Sequence, residues 1–285
     1  MQHTSSPSHD RSALQHGGLW IWLSVAAALL AVVGNVLAFS LSSIYAGLTP
    51  AFLPQAIAQD AASLLIVSPL WLVLAVLALR GSLRAYLLWL GVLTFTVYNY
   101  VIYTFSVPFG PLYPVWVAVL GLTLFALIGG VATTDHQAIQ RAFTSPAAVK
   151  AVGWFLIVVS ILFAFLWLSD DVPALLAGST PQSLIAEGLP TNPVHTLDLA
   201  FFLPAVIITG VMLLKRFPLG YTLAPSFLMF LILTGVPILI TPIVQARRGE
   251  IPGWSVVPPI GILTVLLLGL LVWLMSTVRD LKLPA

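Results

Sequence analysis

Cysteine is absent from the 285 residues, and charge is scarce: eleven Lys and Arg and nine Asp and Glu make up 7% of the chain, against about 25% in an ordinary soluble domain. The first absence excludes disulfides, thiolate nucleophiles and Cys-based zinc sites. The second excludes a soluble globular protein, and with it disorder and coiled coil, both of which need many charges. The 20 glycines form no collagen repeat. Equally missing are a P-loop, a G-x-S-x-G elbow, an H-E-x-x-H pair and a dinucleotide fingerprint. Neither a basic stripe nor a nucleic-acid motif is present. The lysines, Lys150, Lys215 and Lys282, lie outside helix centres, which excludes a retinal-type Schiff base. Outside the first residues the histidines are His136 and His195, expected on opposite sides of the membrane, which argues against a haem held between two histidines. No cofactor is expected.

What is there is apolar: 60% of residues are hydrophobic and the mean hydropathy is +1.06. A helical span needs about 20 mostly apolar residues to cross about 30 Å of hydrocarbon. Eight runs qualify: Leu19 to Phe39, Ala61 to Leu79, Ala85 to Val107, Leu112 to Ala132, Val152 to Leu168, Leu197 to Leu214, Leu219 to Val244 and Val256 to Val278. They lack the alternation of barrel strands, so the expected fold is an all-α integral membrane protein of eight transmembrane helices. The first run is longer than a signal-peptide core and its leading residues are not strongly basic, so it reads as a retained span.

Orientation follows from basic residues in the loops. Arg11, Arg80, Arg84, Arg141, Lys150, Lys215, Arg216, Arg279 and Lys282 fall on the side of the termini, and Arg247 and Arg248 on the other. Both termini are therefore expected in the cytoplasm of a cell membrane. The opposite side collects Asp60, Asp170, Asp171, Glu187, Asp198 and Glu250. Residues 1–18, with His3, His9 and His16, read as a flexible cytoplasmic tail.

Two hairpins share a frame: Pro69, Arg80 and Tyr86 are spaced as Pro204, Lys215 and Tyr221 are. This predicts a parallel duplication, with four-helix halves at 19–132 and 152–278, a cytoplasmic linker at 133–151 and a short tail at 279–285.

Ionisable residues in or beside spans are the default functional candidates. Asp60 and Asp198 are expected at the external starts of helices, where they either cap the first turn or serve a ligand. In Asn192-Pro193-Val194-His195-Thr196-Leu197-Asp198, His195 and Asp198 share a helical face and suit proton transfer. With Asp60 they could also supply three metal ligands. The third span adds Tyr98, Asn99, Tyr100 and Tyr103. Tyrosines there suit the aromatic belt, whereas the Asn99 amide needs a partner inside the bundle. Asn35 and Gln245 are weaker polar candidates. The ligand or proton-binding candidates are thus Asp60, Asn99, Tyr103, His195 and Asp198. Pro69, Pro204, Pro225, Pro237 and Pro242 interrupt helices.

The stretch Arg80-Gly81-Ser82-Leu83-Arg84 through Leu88-Trp89 to Tyr98–Tyr103, with Asn192 to Leu199 and Leu203-Pro204, resembles a group of bacterial multi-pass membrane proteins with no assigned activity. The resemblance spans Gln59 to Tyr221 and implies topology alone. The expected function is binding or transport of a small molecule or lipid through an extracytoplasmic polar pocket. The alternatives are a membrane-embedded metal-dependent hydrolase and a non-catalytic partner subunit of a membrane complex. The lipid bilayer is the one partner that composition demands.

Overall fold

The computed structural model describes residues 17–279, so residues 1–16 of the expected N-terminal tail and 280–285 of the C-terminal one fall outside the described part, while Gly17 and Gly18, read as tail, already belong to the first helix. The described residues hold eight helices long and apolar enough to cross a bilayer, as a multi-pass membrane protein requires. They contain no strand; a single bridge joins Phe143 to Val278.

The first span is α1, Gly17–Ser40. The second runs Leu53–Leu79 and has three parts: α2 (Leu53–Ala62), a π-helical turn at Ser63–Val67, and α3 (Ser68–Leu79). Then come α4 (Leu83–Ser106) and α5 (Tyr113–Ala132). The segment read as a linker is largely helical: α6 (His136–Ala142) is capped by Asp135, whose Oδ1 accepts from the Gln137 and Ala138 amides, and α7 already begins at Pro146. Helix α7 (Pro146–Leu176) is far longer than the expected run of 152–168 and carries Asp170 and Asp171 inside it, beyond the expected end at Leu168. A short α8 (Gln182–Glu187) follows. The sixth span comprises α9 (Pro193–Leu197), a second π-turn at Asp198–Phe202 and α10 (Leu203–Leu214). The last two spans contain α11 (Pro218–Arg247) and α12 (Val257–Ser276).

The prolines explain the π-turns. A proline inside a helix has no N–H to give and its ring collides with the carbonyl four residues back. Pro69 and Pro204 each stand second in the helix after a π-turn, where the wider winding moves that carbonyl away. The two hairpins match step for step at one constant interval. Ser63–Val67 corresponds to Asp198–Phe202, Leu79 to Leu214, Arg80 to Lys215, and the left-handed Gly81 (φ 86°) to the left-handed Arg216 (φ 56°). The closing bonds correspond too: Ser82 N–H donates to Leu77 O and Phe217 N–H to Met212 O.

The core sits between α4 and α11. Helix α4 is the most enclosed span, with 83% of its apolar window buried, whereas the window of the α12 span is 11% buried and the rest of its surface is left for lipid. Because lipid tails give no hydrophobic drive between helices, contact depends on small residues that let backbones approach. A Cβ on Gly91 would stand 2.7 Å from Ser226 O, and one on Gly210 would stand 2.6 Å from Gly153 O. Ser226 Oγ donates to Leu87 O across the α4–α11 seam. At the α1–α3–α4 junction, Ser24 Oγ accepts from the indoles of both Trp71 (3.3 Å) and Trp89 (2.9 Å).

Candidate functional site

Three polar sites lie in the half of the bundle away from the described chain ends, and the five candidates are divided among them. The first centres on Asp60, which is 3% exposed. It lies inside α2 and caps nothing. Its Oδ2 accepts from the Tyr45 hydroxyl at 2.5 Å and its Oδ1 from the Tyr103 hydroxyl at 2.6 Å. Tyr103 comes from α4, and its ring packs edge-on against Trp116. Tyr45 belongs to the short 3-10 turn Ser42–Tyr45 that links α1 to α2. Burial raises the Tyr45 phenol above its ordinary value, helped by the Asp60 charge and the hydrogen bond to it. This site is closed, and both oxygens of the acid are engaged.

The second site joins His195 and Asp198, though through an intermediary. Asn192 is the true cap of α9, its Oδ1 accepting from the Val194 and His195 amides. His195 Nδ1 pairs with Asp171 Oδ1 at 2.9 Å. Trp167 stacks on the imidazole with centroids 4.5 Å apart and an interplanar angle of 28°, while its Nε1 donates to Asp198 Oδ2 at 2.8 Å. The Tyr98 hydroxyl is turned to the same carboxylate, and its ring packs edge-on to Phe202 and Phe230. Neither Trp167 nor Asp171 is among the five candidates read from the sequence, where Asp171 counts only as one of the external acids. Their signal was present: they stand four residues apart, hence on one face if the helix continues past Leu168.

Beside this pair opens a cleft of about 520 Å³, lined among others by Asp171, Ala174, Leu184, Asn192, His195 and Leu199. Asp170 stands next to it, its Oδ2 accepting from Ser183 Oγ. Asp170, Asp171 and His195 offer ligand atoms within 4.8 Å of one another, the one such group among the described residues. Neither Asp60 nor Asp198 belongs to it. The alternative grouping of Asp60, His195 and Asp198 weighed from sequence is not brought together; His195 meets Asp170 and Asp171 instead, because α7 reaches far enough to bring its acids to it.

Asn99 occupies a third place, facing a small void near the first π-turn. Of the weaker candidates, Gln245 Oε1 accepts from the Gly253 amide, and the buried Asn35 Nδ2 has no partner among the described residues. Near the opposite end of the bundle, His136 Nδ1 lies 2.9 Å from Thr222 Oγ1. Burial lowers the His136 pKa, and the neighbouring Asp135 charge works against that shift.

The start of the second span also touches α8 at this end of the bundle. Thr49 Oγ1 donates to Glu187 O, and Gln55 Nε2 to Glu187 Oε1 at 2.9 Å. No protein-family model matches the chain, and no similar curated protein or solved structure was found.

Proposed function

We propose that the protein binds a small amphipathic molecule or lipid at the extracytoplasmic side of a cell membrane, in the cleft above His195, as a receptor or as the first step of transport. The cleft of about 520 Å³ carries this reading, because it falls within the size range of pockets that enclose small ligands. Its chemistry is divided. Ala174, Leu184 and Leu199 offer apolar surface, while Asp171, Asn192 and His195 offer polar atoms. No Lys or Arg lines it, so the polar lining suits a head group with positive charge or hydrogen-bond donors. The basic residues grouped on the opposite side support an external placement. On this reading the two hairpins belong to related four-helix halves, of which the second keeps an open site and the first a closed one.

The test is native mass spectrometry of the protein released from detergent, comparing wild type with Ala174→Trp, which fills the cleft. A bound amphiphile retained by wild type and lost from the variant is the expected result. Equal adducts on both proteins, or none on either, would sink the proposal.

The group Asp170, Asp171 and His195 favours a second reading, a metal-dependent hydrolase with these three as ligands. Elemental analysis of chelator-free protein decides it: one transition-metal ion per chain, lost in Asp171→Asn, is what that reading requires.

A further inference from the structure

Beside the first π-turn lies a void of about 10 Å³, lined among others by Ser63, Ser68, Trp71, Thr96, Asn99 and Tyr100. This is about the volume of one water-sized sphere, the smallest space that holds a water or a small ion. It is separate from the cleft at His195, with which it shares no lining residue. All five polar residues are buried, with exposures of 7% for Ser63, 2% for Ser68, 3% for Thr96, 7% for Asn99 and 5% for Tyr100. The Asn99 amide and the hydroxyls of Ser68 and Tyr100 make no hydrogen bond to any described residue. Buried polar groups are rarely left so, and three around one void point to an occupant.

The surrounding bonds indicate what kind. Thr96 Oγ1 donates to Val92 O at 2.8 Å, so its proton is committed and lone pairs remain. Ser63 Oγ accepts from Gln59 Nε2 at 3.1 Å. The lining polar groups therefore offer a neutral set of hard oxygen donors, with no thiolate or imidazole to attract a transition metal. One turn before Ser63 stands Asp60, buried and held by two tyrosine hydroxyls, neither of which carries a positive charge. A buried carboxyl that ionises needs a counter-charge. Tyr103, bonded to Asp60, has its ring 5.9 Å from that of Tyr100, which lines the void.

We propose that this void is a binding site for a dehydrated monovalent cation of sodium's size, coordinated by oxygens of Ser63, Ser68, Thr96, Asn99 and Tyr100, with Asp60 as its counter-charge. The π-turn contributes by spreading the helix at Ser63–Val67, as broken membrane helices do where they receive ions. Potassium is larger and fits less well.

The experiment measures thermal unfolding of the full-length protein in detergent, in sodium, potassium or choline chloride at equal ionic strength. Sodium is expected to raise the melting temperature saturably, by about 5 °C at a hundred times its dissociation constant. Potassium and choline should not, and Ser68→Ala or Asn99→Ala should abolish the sodium response. As a readout that needs no variant, Trp71 lines the void, so sodium should change the tryptophan emission of wild type along the same saturation curve. Identical melting and emission in all three salts would overturn the site and leave an ordered water as the occupant. A sodium response that survives both substitutions would overturn it as well.

Discussion

At the scale of single residues, Asp60 shows how a costly group is kept in an apolar bundle: two phenols take the place of water at its oxygens. Removing one donor leaves that oxygen unsatisfied, and hydrogen bonds to charged groups are worth about 1.5–3 kcal/mol. Tyr103→Phe is therefore expected to destabilise the protein by roughly that amount in denaturant or thermal unfolding. Tyr45 gives a pH signature. Its phenol holds its proton more tightly in the folded state, so the stability it contributes is full below the unfolded value, about 10, and is lost as pH rises above it. Wild type should lose melting temperature above pH 10 more steeply than Tyr45→Phe. His136 works in the opposite direction. With a folded pKa below its ordinary value, its contribution is present above about pH 6.5 and is lost as pH falls toward the folded pKa. His136→Gln should flatten the acid limb of the stability profile. Much of this was legible in part: Asp60, Tyr103, His195 and Asp198 stand out as polar residues in apolar runs. Their partners did not, because Tyr45 and Trp167 look like ordinary interface aromatics until the backbone brings them to a carboxylate.

Among the helices, glycine and proline carry the argument. Helices α7 and α10 meet through Gly153 and Gly210, where an added Cβ at Gly210 would strike the Gly153 carbonyl. Overpacking of that kind costs about 1–3 kcal/mol or more. Gly210→Leu should thus lower the melting temperature clearly, while Gly261→Leu, with open space around its Cβ position, should leave it within experimental error. Side-by-side melting curves in one detergent check both. The π-turns were hidden in the sequence, although Pro69 and Pro204 marked their places. Proline states that the regular winding must change, and packing chooses between a kink and a wider turn. The ends of α7 were misjudged for a related reason: hydropathy falls after Leu168, yet the helix continues because Asp171 finds His195 and Asp170 finds Ser183.

Considered whole, the molecule has two faces distinguished by charge, and the absence of cysteine makes the orientation directly testable. Ser179 is exposed at the face of the cleft and Gln137 at the other. In intact cells, a membrane-impermeant maleimide should label Ser179→Cys and spare Gln137→Cys until the membrane is opened. The reverse pattern would invert the topology read from the basic loops. The sequence by itself determined that this chain crosses a membrane and how many times it does so, but not where its helices break: Pro225, Pro237 and Pro242 all lie inside the continuous α11. The hydrocarbon phase forces these outcomes: apolar length sets the number of spans, and unmet backbone groups force helix within them. Tertiary structure alone decided which polar residues meet. Asp60 went to Tyr45 and Tyr103, His195 to Asp171, Asp198 to Trp167, and Asn99 to a void of its own. The physical reason is that side-chain partners depend on helix rotation and depth. In a bundle whose outer surface meets lipid as readily as its inner surface meets protein, hydropathy no longer reports which face turns inward.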